Sequence, residues 1–531
     1  MRSRSPDRMA SKVPAFSDII YPMFDFSGGL NTKSTPLFLD RNAVYSLKPN
    51  QATILDNWLR TASGGLVTRP GREKVNTTAI SPSNGDQTVR DFVELIKADG
   101  TSSVLVHIGD GLYTLTSAGV VTKIGSLATA NTRIHWAIFK EAAYGVDGTN
   151  VPVKWDGTSL TQITQLSSSC IAIASFRTRL WALDGVTLRY STDNNGSNWD
   201  EITYPNNAGS LSIPVTKGQA GTGFMPFWDR LLVTTNQQVF QLFGVTPTTF
   251  NLSAINFRYG HEASPYGLLA AGNDVYMLNR RGVIGLSVSM AQSETGDVET
   301  DYISGNIEPS WQALSRSGFS NVVAVDDSVN NCLIIICPSS GIRNNIAFVA
   351  DYYLTDPQGR PTWSRYTNFP FASTIQVSSF NNFPEVLFGG YDGFIYRQTT
   401  ALTDAITSGT QNIQTVLQYV TDLEQPAFIK TWRHMVLFAS TQSGSMFLNT
   451  TYDFGATVQQ QSFTLPALVG DPLVTVFTIG TSAIGSFGYS SKRIAIPGSG
   501  RYATFLFTAA IAKRITFGGF VFYAGLRRVS I

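Results

Sequence analysis

The chain has 531 residues, of which 43% are hydrophobic, 12% aromatic and only 14% charged, and its formal net charge is +2. This length predicts two or three domains, and the apolar content excludes an intrinsically disordered chain. The near balance of 39 basic and 37 acidic residues excludes a strong, whole-chain attraction to nucleic acid or to an anionic membrane.

Residues 1–25 are predicted to form an N-terminal arm. Their basic residues are not followed by the apolar stretch of a secretory signal. Apolar runs elsewhere stop far short of the roughly 20 residues that a membrane helix needs. The three cysteines, Cys170, Cys332 and Cys337, do not have the pattern of a disulfide framework. We therefore expect assembly in the cytoplasm without stable membrane binding.

Residues 26–89 are predicted to be a shaped connector that belongs to a platform. The phrases FSGGLNTKSTPLFLD and GGLVTRPG bracket NQATILDNWLR, and the stretch holds no His, no Cys and no pair of carboxylates. Twin glycines allow close backbone approach or a positive φ, and prolines stiffen the turns. The phrase between them predicts a short helix with Ala52, Leu55 and Trp58 on one face.

The middle of the chain carries a repeated hairpin pattern, in which an Asp-Gly turn joins two apolar strands. The first three turns are separated by a regular step of about 37 residues, as the numbering shows. The seven predicted turns lie at or near Asp110, Asp147, Asp184, Asn236, Arg280, Ser340 and Asp392.

A repeat of this size predicts a β-propeller of about seven blades over residues 90–404, because a single small sheet cannot bury both of its faces. Two successive β-sandwiches are the alternative, since they also have short strands at regular spacing. The regular steps favour the propeller.

One further phrase, STDNNGSNWDEI, nearly matches the Asp-box hairpin of sialidase-type propellers, with one extra residue before its glycine. In that motif the Ser and Asp bind the backbone of their own hairpin and the Trp packs between blades. The residues concerned are Ser191, Asp193, Gly196 and Trp199, and they are predicted to be structural.

Residues 405–531 do not continue the series of Asp-Gly turns, and they contain long runs in which residues for the two faces of a strand alternate, such as YATFLFTAA. Alternation of this kind predicts an antiparallel β-sandwich, which we assign to the platform. A second short helix is predicted within residues 308–317. The fold class is therefore mainly β, a propeller-like body with a sandwich platform domain.

No catalytic, cofactor-binding or metal-binding residues are predicted. The four histidines lie in different segments without the spacing of a zinc site, and the Asp-Gly turns lack the further oxygen ligands of a calcium loop. A sialidase needs clustered arginines and a Tyr–Glu pair, and no local signature identifies them here. We therefore expect that the protein is not an enzyme.

The connector of residues 26–71 resembles the N-terminal signature of the tail nozzle, or tail-tube B, family of short-tailed bacteriophages. The resemblance lies in the ordered set GGLNT, NQATILDNW and GGLVTRPG. It implies a structural virion protein in the tail, a ring of six identical subunits below the head–tail adaptor ring. Such a ring continues the DNA-ejection channel, contacts viral DNA transiently and can dock tail fibres or spikes.

The resemblance also implies candidate residues for contacts between subunits or with the adaptor, namely Gly28, Gly29, Asn57, Trp58, Arg69, Pro70 and Gly71. Three alternatives stay open. The connector can serve only to close its own fold, the compact chain can form a short plug or hub, and the protein can be a propeller that binds a glycan or a protein.

Overall fold

A computed structural model describes most of the chain, and nearly all of its regular structure is β. The described residues are 17–34, 47–205, 207–215, 218–255, 260–262, 265–272, 274–286, 302–355, 360–380, 383–440, 444–455, 459–465 and 490–528. They include the short helix α1 (Glu308–Gln312), inside the predicted segment, and three 3-10 turns, Pro265–Gly267, Gly305–Ile307 and Phe319–Asn321. No helix among them has the length and apolar character needed to cross a bilayer.

Seven short strands precede the propeller. They are β1 (Ser17–Met23), β2 (Gly29–Leu30), β3 (Gln51–Ala52), β4 (Ile54–Asp56), β5 (Trp58–Arg60), β6 (Leu66–Thr68) and β7 (Gly71–Lys74). The helix predicted between Asn50 and Arg60 is wrong, because β3, β4 and β5 occupy that phrase. Asn57 has a φ of 62°, which breaks the chain direction between β4 and β5, so that the two strands join different sheets. Tertiary pairing overrides the local helical pattern here.

Five blades are separate antiparallel sheets, four of them with four strands and the fifth with three. Their strands are β8 (Val89–Ile96), β9 (Ser102–Ile108), β10 (Gly111–Leu115) and β11 (Val121–Ser126); β12 (His135–Phe139), β13 (Ala142–Val146), β14 (Val153–Trp155) and β15 (Leu160–Gln162); β16 (Ala172–Phe176), β17 (Arg179–Asp184), β18 (Thr187–Tyr190) and β19 (Gly209–Ser212); β20 (Gly221–Phe227), β21 (Arg230–Thr235), β22 (Val239–Phe243) and β23 (Asn251–Ile255); β24 (Leu268–Ala271), β25 (Asp274–Leu278) and β26 (Val283–Gly285).

Blades six and seven belong to larger sheets. Blade six is β27 (Val323–Asp327), β28 (Cys332–Cys337), β29 (Ile346–Thr355) and β30 (Pro361–Tyr366), and blade seven is β31 (Phe371–Val377), β32 (Glu385–Gly390) and β33 (Ile395–Thr399), with β7 as its fourth strand. The first strand of each blade contacts that of the next, and β31 contacts β8. The ring of blades is therefore closed, which excludes two successive sandwiches.

Each of the seven predicted hairpins joins the second and third strands of one blade, from Asp110 in blade one to Asp392 in blade seven. Strand direction alternates within a blade, so these turns lie at the same end as the starts of the first strands. This end is called the turn face below.

Strands β34 (Thr403–Ile406) and β35 (Gly409–Asn412) extend the sheet of blade seven beyond β7. The remaining strands build the sandwich: β36 (Gln414–Thr421), β37 (Phe428–Ser440), β38 (Gly444–Tyr452), β39 (Gln459–Leu465), β40 (Ser490–Gly500), β41 (Ala503–Ala510) and β42 (Thr516–Arg528). One layer continues blade six, in the order β27-β28-β29-β30-β4-β36-β41-β38-β39. The other has the order β40-β37-β42-β6-β5, with β1 also on β42. Propeller and sandwich thus share one continuous sheet.

Aromatic side chains fill the space between the two sandwich layers. Residues of β41 alternate between buried and half-buried, as the sequence predicts for a strand with one face on a core. Phe505 of β41 lies 4.7 Å from Phe522 and 5.7 Å from Trp432 of the opposite layer, measured between ring centroids. This core extends to Trp363 of blade six and Trp311 of α1, so it also holds the sandwich to the propeller.

Candidate assembly site

The segment that resembles the tail-protein signature lies where three sheets meet. Strand β4 is inserted between β30 of blade six and β36 of the sandwich. Strands β5 and β6 join the second sandwich layer, and β7 completes blade seven. A stretch of about two dozen residues therefore connects the propeller to both layers of the platform.

A buried ion pair lies at the centre of this junction. The guanidinium of Arg69 donates two hydrogen bonds to the carboxylate of Asp404, one of 2.9 Å and one of 2.5 Å, and both side chains are at most 2% exposed. Its Nε donates to Oδ1 of Asn57 at 2.8 Å. The amide of Asn57 in turn donates to the Thr367 hydroxyl at 2.7 Å. This network ties the connector to blades six and seven.

A second guanidinium, that of Arg72 in β7, lies 3.6 Å from the same Asp404 carboxylate. Burial lowers the pKa of Arg72 to about 10, although Asp404 opposes the shift. The group also stacks over Phe371 at 4.8 Å. Two arginines that share one buried carboxylate make the stability of the junction depend on that single group.

The remaining signature residues pack inside the chain or close against backbone. Trp58 is fully buried, 6.1 Å from the ring of Phe517. Gly29 has a φ of 62°, and a Cβ there would lie 2.8 Å from the carbonyl oxygen of Trp363. Gly71 passes so close to the carbonyl of Thr403 that no side chain fits.

Asn57, Trp58 and Arg69 make the contacts described above within one chain. Their side chains are at most 2% exposed, so in this fold they have no surface to offer a neighbouring subunit. Gly28 and Pro70 are half-buried, and a role for them in a subunit contact stays a prediction.

The hairpin that resembles an Asp-box lies between β18 and β19. The hydroxyl of Ser191 accepts the Leu180 N–H at 3.1 Å, and the carboxylate of Asp193 accepts a short hydrogen bond from Thr178. Trp199 is buried among residues of blades two and three, and its indole donates to the Gly196 carbonyl at 2.9 Å. These contacts fix a loop between two blades.

Two strands of the second sandwich layer are edge strands. Among the described residues, each of them pairs with a single neighbouring strand. Strand β40 has eleven residues and pairs only with β37, while β1 pairs only with β42. Side chains of Ser491, Lys492 and Arg493 on β40 are exposed. The carbonyls of Ala495 and Pro497 on β40 accept hydrogen bonds from the side chains of Gln461 and Gln459, so the part of its edge that is open for pairing with another chain is residues 490–494.

The described residues contain no group of three or more His, Cys, Asp or Glu that could hold a metal ion. A set of arginines on the turn face, which no local sequence pattern marks, consists of Arg90, Arg133 and Arg343. They are far apart in the sequence, and only the closed ring of blades brings them to one cavity.

No protein-family model and no curated protein matches the sequence. Among solved structures, the chain is similar to the computationally designed Ika8 protein, with 14% identity, a TM-score of 0.36 and coverage of 66% of this chain and 98% of that one. YCF48 bound to D1 peptide has 13% identity, a TM-score of 0.36 and coverage of 64% of this chain and 100% of that one. The extracellular domain of BT4673 from B. thetaiotaomicron has 12% identity, a TM-score of 0.41 and coverage of 80% of this chain and 59% of that one. These low scores carry no argument about function, and the fold rests on the strand pairing described above.

Together, the closed ring of blades and the shared sheet define the protein as a β-propeller joined to a β-sandwich platform.

Proposed function

We propose that this protein is a structural subunit of a bacteriophage tail, in which six copies form a ring that continues the DNA channel below the head–tail adaptor. The observation that carries the proposal is the position of the signature segment, which joins blade six, blade seven and both sandwich layers. A segment in this position fixes the angle between propeller and platform. In a ring, that angle sets the width of the central opening.

The open edges of the platform supply the contact between subunits in this proposal. Edge strand β40 is long and carries two adjacent exposed cations, Lys492 and Arg493. Main-chain hydrogen bonds from an added strand give affinity, and the side chains of the edge give specificity. The near-neutral chain charge is compatible with a channel through which DNA slides without being held.

The experiment is native mass spectrometry of the full chain, whose subunit mass is 57.8 kDa, alone and with particles that carry the adaptor. We expect a species of six subunits. The double variant Lys492→Glu with Arg493→Glu should stay folded but lose that species. A matched control, Lys140→Glu with Arg177→Glu, changes two exposed cations on the propeller and should assemble normally. If both variants assembled equally well, β40 would not be part of the interface between subunits.

A ligand-binding propeller is the second candidate, and it rests on a cavity at the turn face that is described next.

A further inference from the structure

A small cavity opens on the turn face, at the mouth of the space that the blades surround. Four consecutive blades line it, namely six, seven, one and two. Its volume is about 160 Å³, and its lining residues are Asp86, Thr88, Arg90, Arg133, Asn321, Ile342, Arg343, Ala372 and Tyr391. We call it the arginine pocket.

Three guanidinium groups and one carboxylate line this pocket, so it holds an excess of positive charge. Arg90 donates to Asp86 at 2.8 Å and Arg133 pairs with Asp91 behind the lining, so Arg343 is the one of the three that has no carboxylate partner among the described residues. The Arg343 guanidinium stacks over the ring of Tyr391 at 5.0 Å and is exposed to solvent. An excess of guanidinium groups over carboxylates in a concave site favours an anionic ligand.

The arginine at the back of the pocket is held in place by a buried network. Arg133 lies 4.0 Å above the ring of Tyr266, and its Nε is 3.7 Å from the carboxylate of Asp91. That carboxylate is fixed in turn by the Ile134 N–H at 2.6 Å and by His107 at 3.4 Å. Arg133 is therefore positioned before any ligand arrives, which reduces the entropy lost on binding.

Two nitrogen atoms of the arginines have no acceptor among the described residues, namely Nε of Arg90 and Nη2 of Arg133. Buried donors are normally paired, and an unpaired one requires an explanation such as a ligand or an ordered water. Tyr391 offers a further donor, since its hydroxyl already accepts the Asn344 N–H at 2.9 Å and keeps its own proton. The lining thus combines these two buried donors with the exposed guanidinium of Arg343 and the hydroxyl of Tyr391.

We infer that the arginine pocket binds the carboxylate or phosphate group of an acidic sugar. Pockets for drug-sized ligands have about 300–1,000 Å³, so a cavity of 160 Å³ takes one oxyanion and part of the ring that carries it. A DNA duplex is too wide to enter a cavity of this size. Thr88, Asn321 and Tyr391 in the lining provide hydroxyl and amide groups that suit sugar hydroxyls.

The test is isothermal titration calorimetry of the full chain with glucuronate, glucose 1-phosphate and neutral glucose. We expect at least one of the two anionic sugars to saturate the protein while glucose does not, and the stronger one identifies the anionic group. Arg343→Gln changes an exposed side chain and should weaken binding about tenfold or more, the loss of one charge-assisted hydrogen bond. Arg230→Gln, in a blade-four turn at the opposite end, is the matched control and should bind as the wild type does.

Arg133→Gln should also abolish binding, and circular dichroism will show whether it folds; if it does not, the Arg343 variant decides. The inference is overturned if both anionic sugars bind no better than glucose, or if Arg343→Gln binds as tightly as the wild type. Binding of a DNA duplex without binding of either anionic sugar would also overturn it. None of these results depends on whether six chains form a ring.

Discussion

Gly185, at the tip of the blade-three hairpin, has a φ of 61°, and no heavy atom lies within 4 Å of the place where a Cβ would be. A side chain there costs only backbone strain, about 1–2 kcal/mol for an L-residue in the left-handed region. We predict that Gly185→Ala lowers the free energy of unfolding by about 1 kcal/mol. Chemical denaturation measures this loss.

Gly305 is the matched control, because it also has open space around its Cβ position but no left-handed φ. Gly305→Ala should leave the free energy of unfolding unchanged or raise it slightly, since alanine restricts the unfolded chain. Equal losses in the two variants would show that the backbone conformation at Gly185 is not the cause.

Asp404 is the buried carboxylate shared by Arg69 and Arg72. Asp404→Ala leaves two buried guanidinium groups without a counter-ion, so we predict a loss of roughly 3–5 kcal/mol in the free energy of unfolding. Asp18, whose ion pair with Arg433 is at least half-exposed, provides the control. Asp18→Ala should cost less than about 1 kcal/mol. Similar losses in both variants would contradict the assigned role of Asp404.

Lys430 of β37 is buried, and its ammonium group donates to the carbonyls of Gln425 and Arg501. Burial lowers its pKa from 10.5 to about 8, although Asp422 opposes the shift. Between these two values Lys430 binds a proton in the unfolded chain but not in the folded one, so the contribution of Lys430 to the free energy of unfolding should rise with pH in this window. Lys430→Met should remove that contribution, so the difference in the free energy of unfolding between wild type and variant should change with pH there. Parallel curves for the two proteins from pH 7 to pH 10 would disprove the assignment.

Among the elements, β7 completes blade seven from the other end of the chain. It pairs with β33 on one side and with β34 on the other, so a proline within it removes a sheet hydrogen bond. We predict that Glu73→Pro speeds amide hydrogen exchange in Ile395–Thr399 of β33. Amides of Arg179–Asp184 in blade three should be unaffected.

Glu73→Ala is the control for this experiment, since it removes only the ion pair with Arg397. It should change exchange in β33 much less than the proline does. Unchanged protection of β33 in the proline variant would show that blade seven is stable without its closing strand.

The elements also show which parts of the fold are readable from sequence. The turns at Asp110, Asp147 and Asp184 are encoded locally by an Asp-Gly pair between apolar residues, and all three lie where the pattern predicts. Strand β7 has no such local signal, since Glu73 and its partner Arg397 are 324 positions apart. The wrong helix at residues 50–60 has the same cause, because distant strands decide its conformation.

The candidate sites also contain features that are encoded locally in the sequence and features that depend on distant residues. Gly28, Gly29 and Gly71 could be singled out from the sequence because glycine marks close backbone approach. The burial of Asn57 and Arg69 in one network could not be predicted from the sequence. Their partners Thr367 and Asp404 are distant in the sequence and come close only when the sheets have formed. The arginine pocket was missed for a related reason, since its residues come from four blades.

At the scale of the whole molecule, the propeller and the sandwich are one body with a continuous sheet and a shared aromatic core. A rigid subunit of this kind suits an assembly that must hold a fixed opening while DNA passes. The arginine pocket lies on the turn face, at the end opposite the turns between first and second strands.

Electron cryomicroscopy of tails from particles that contain this chain is the decisive test of the proposed ring of six subunits. We expect six copies around the DNA channel, directly below the adaptor ring, with the sandwich layers in contact between neighbours. A reconstruction of complete tails in which no copy of the chain lies on the channel axis would contradict it.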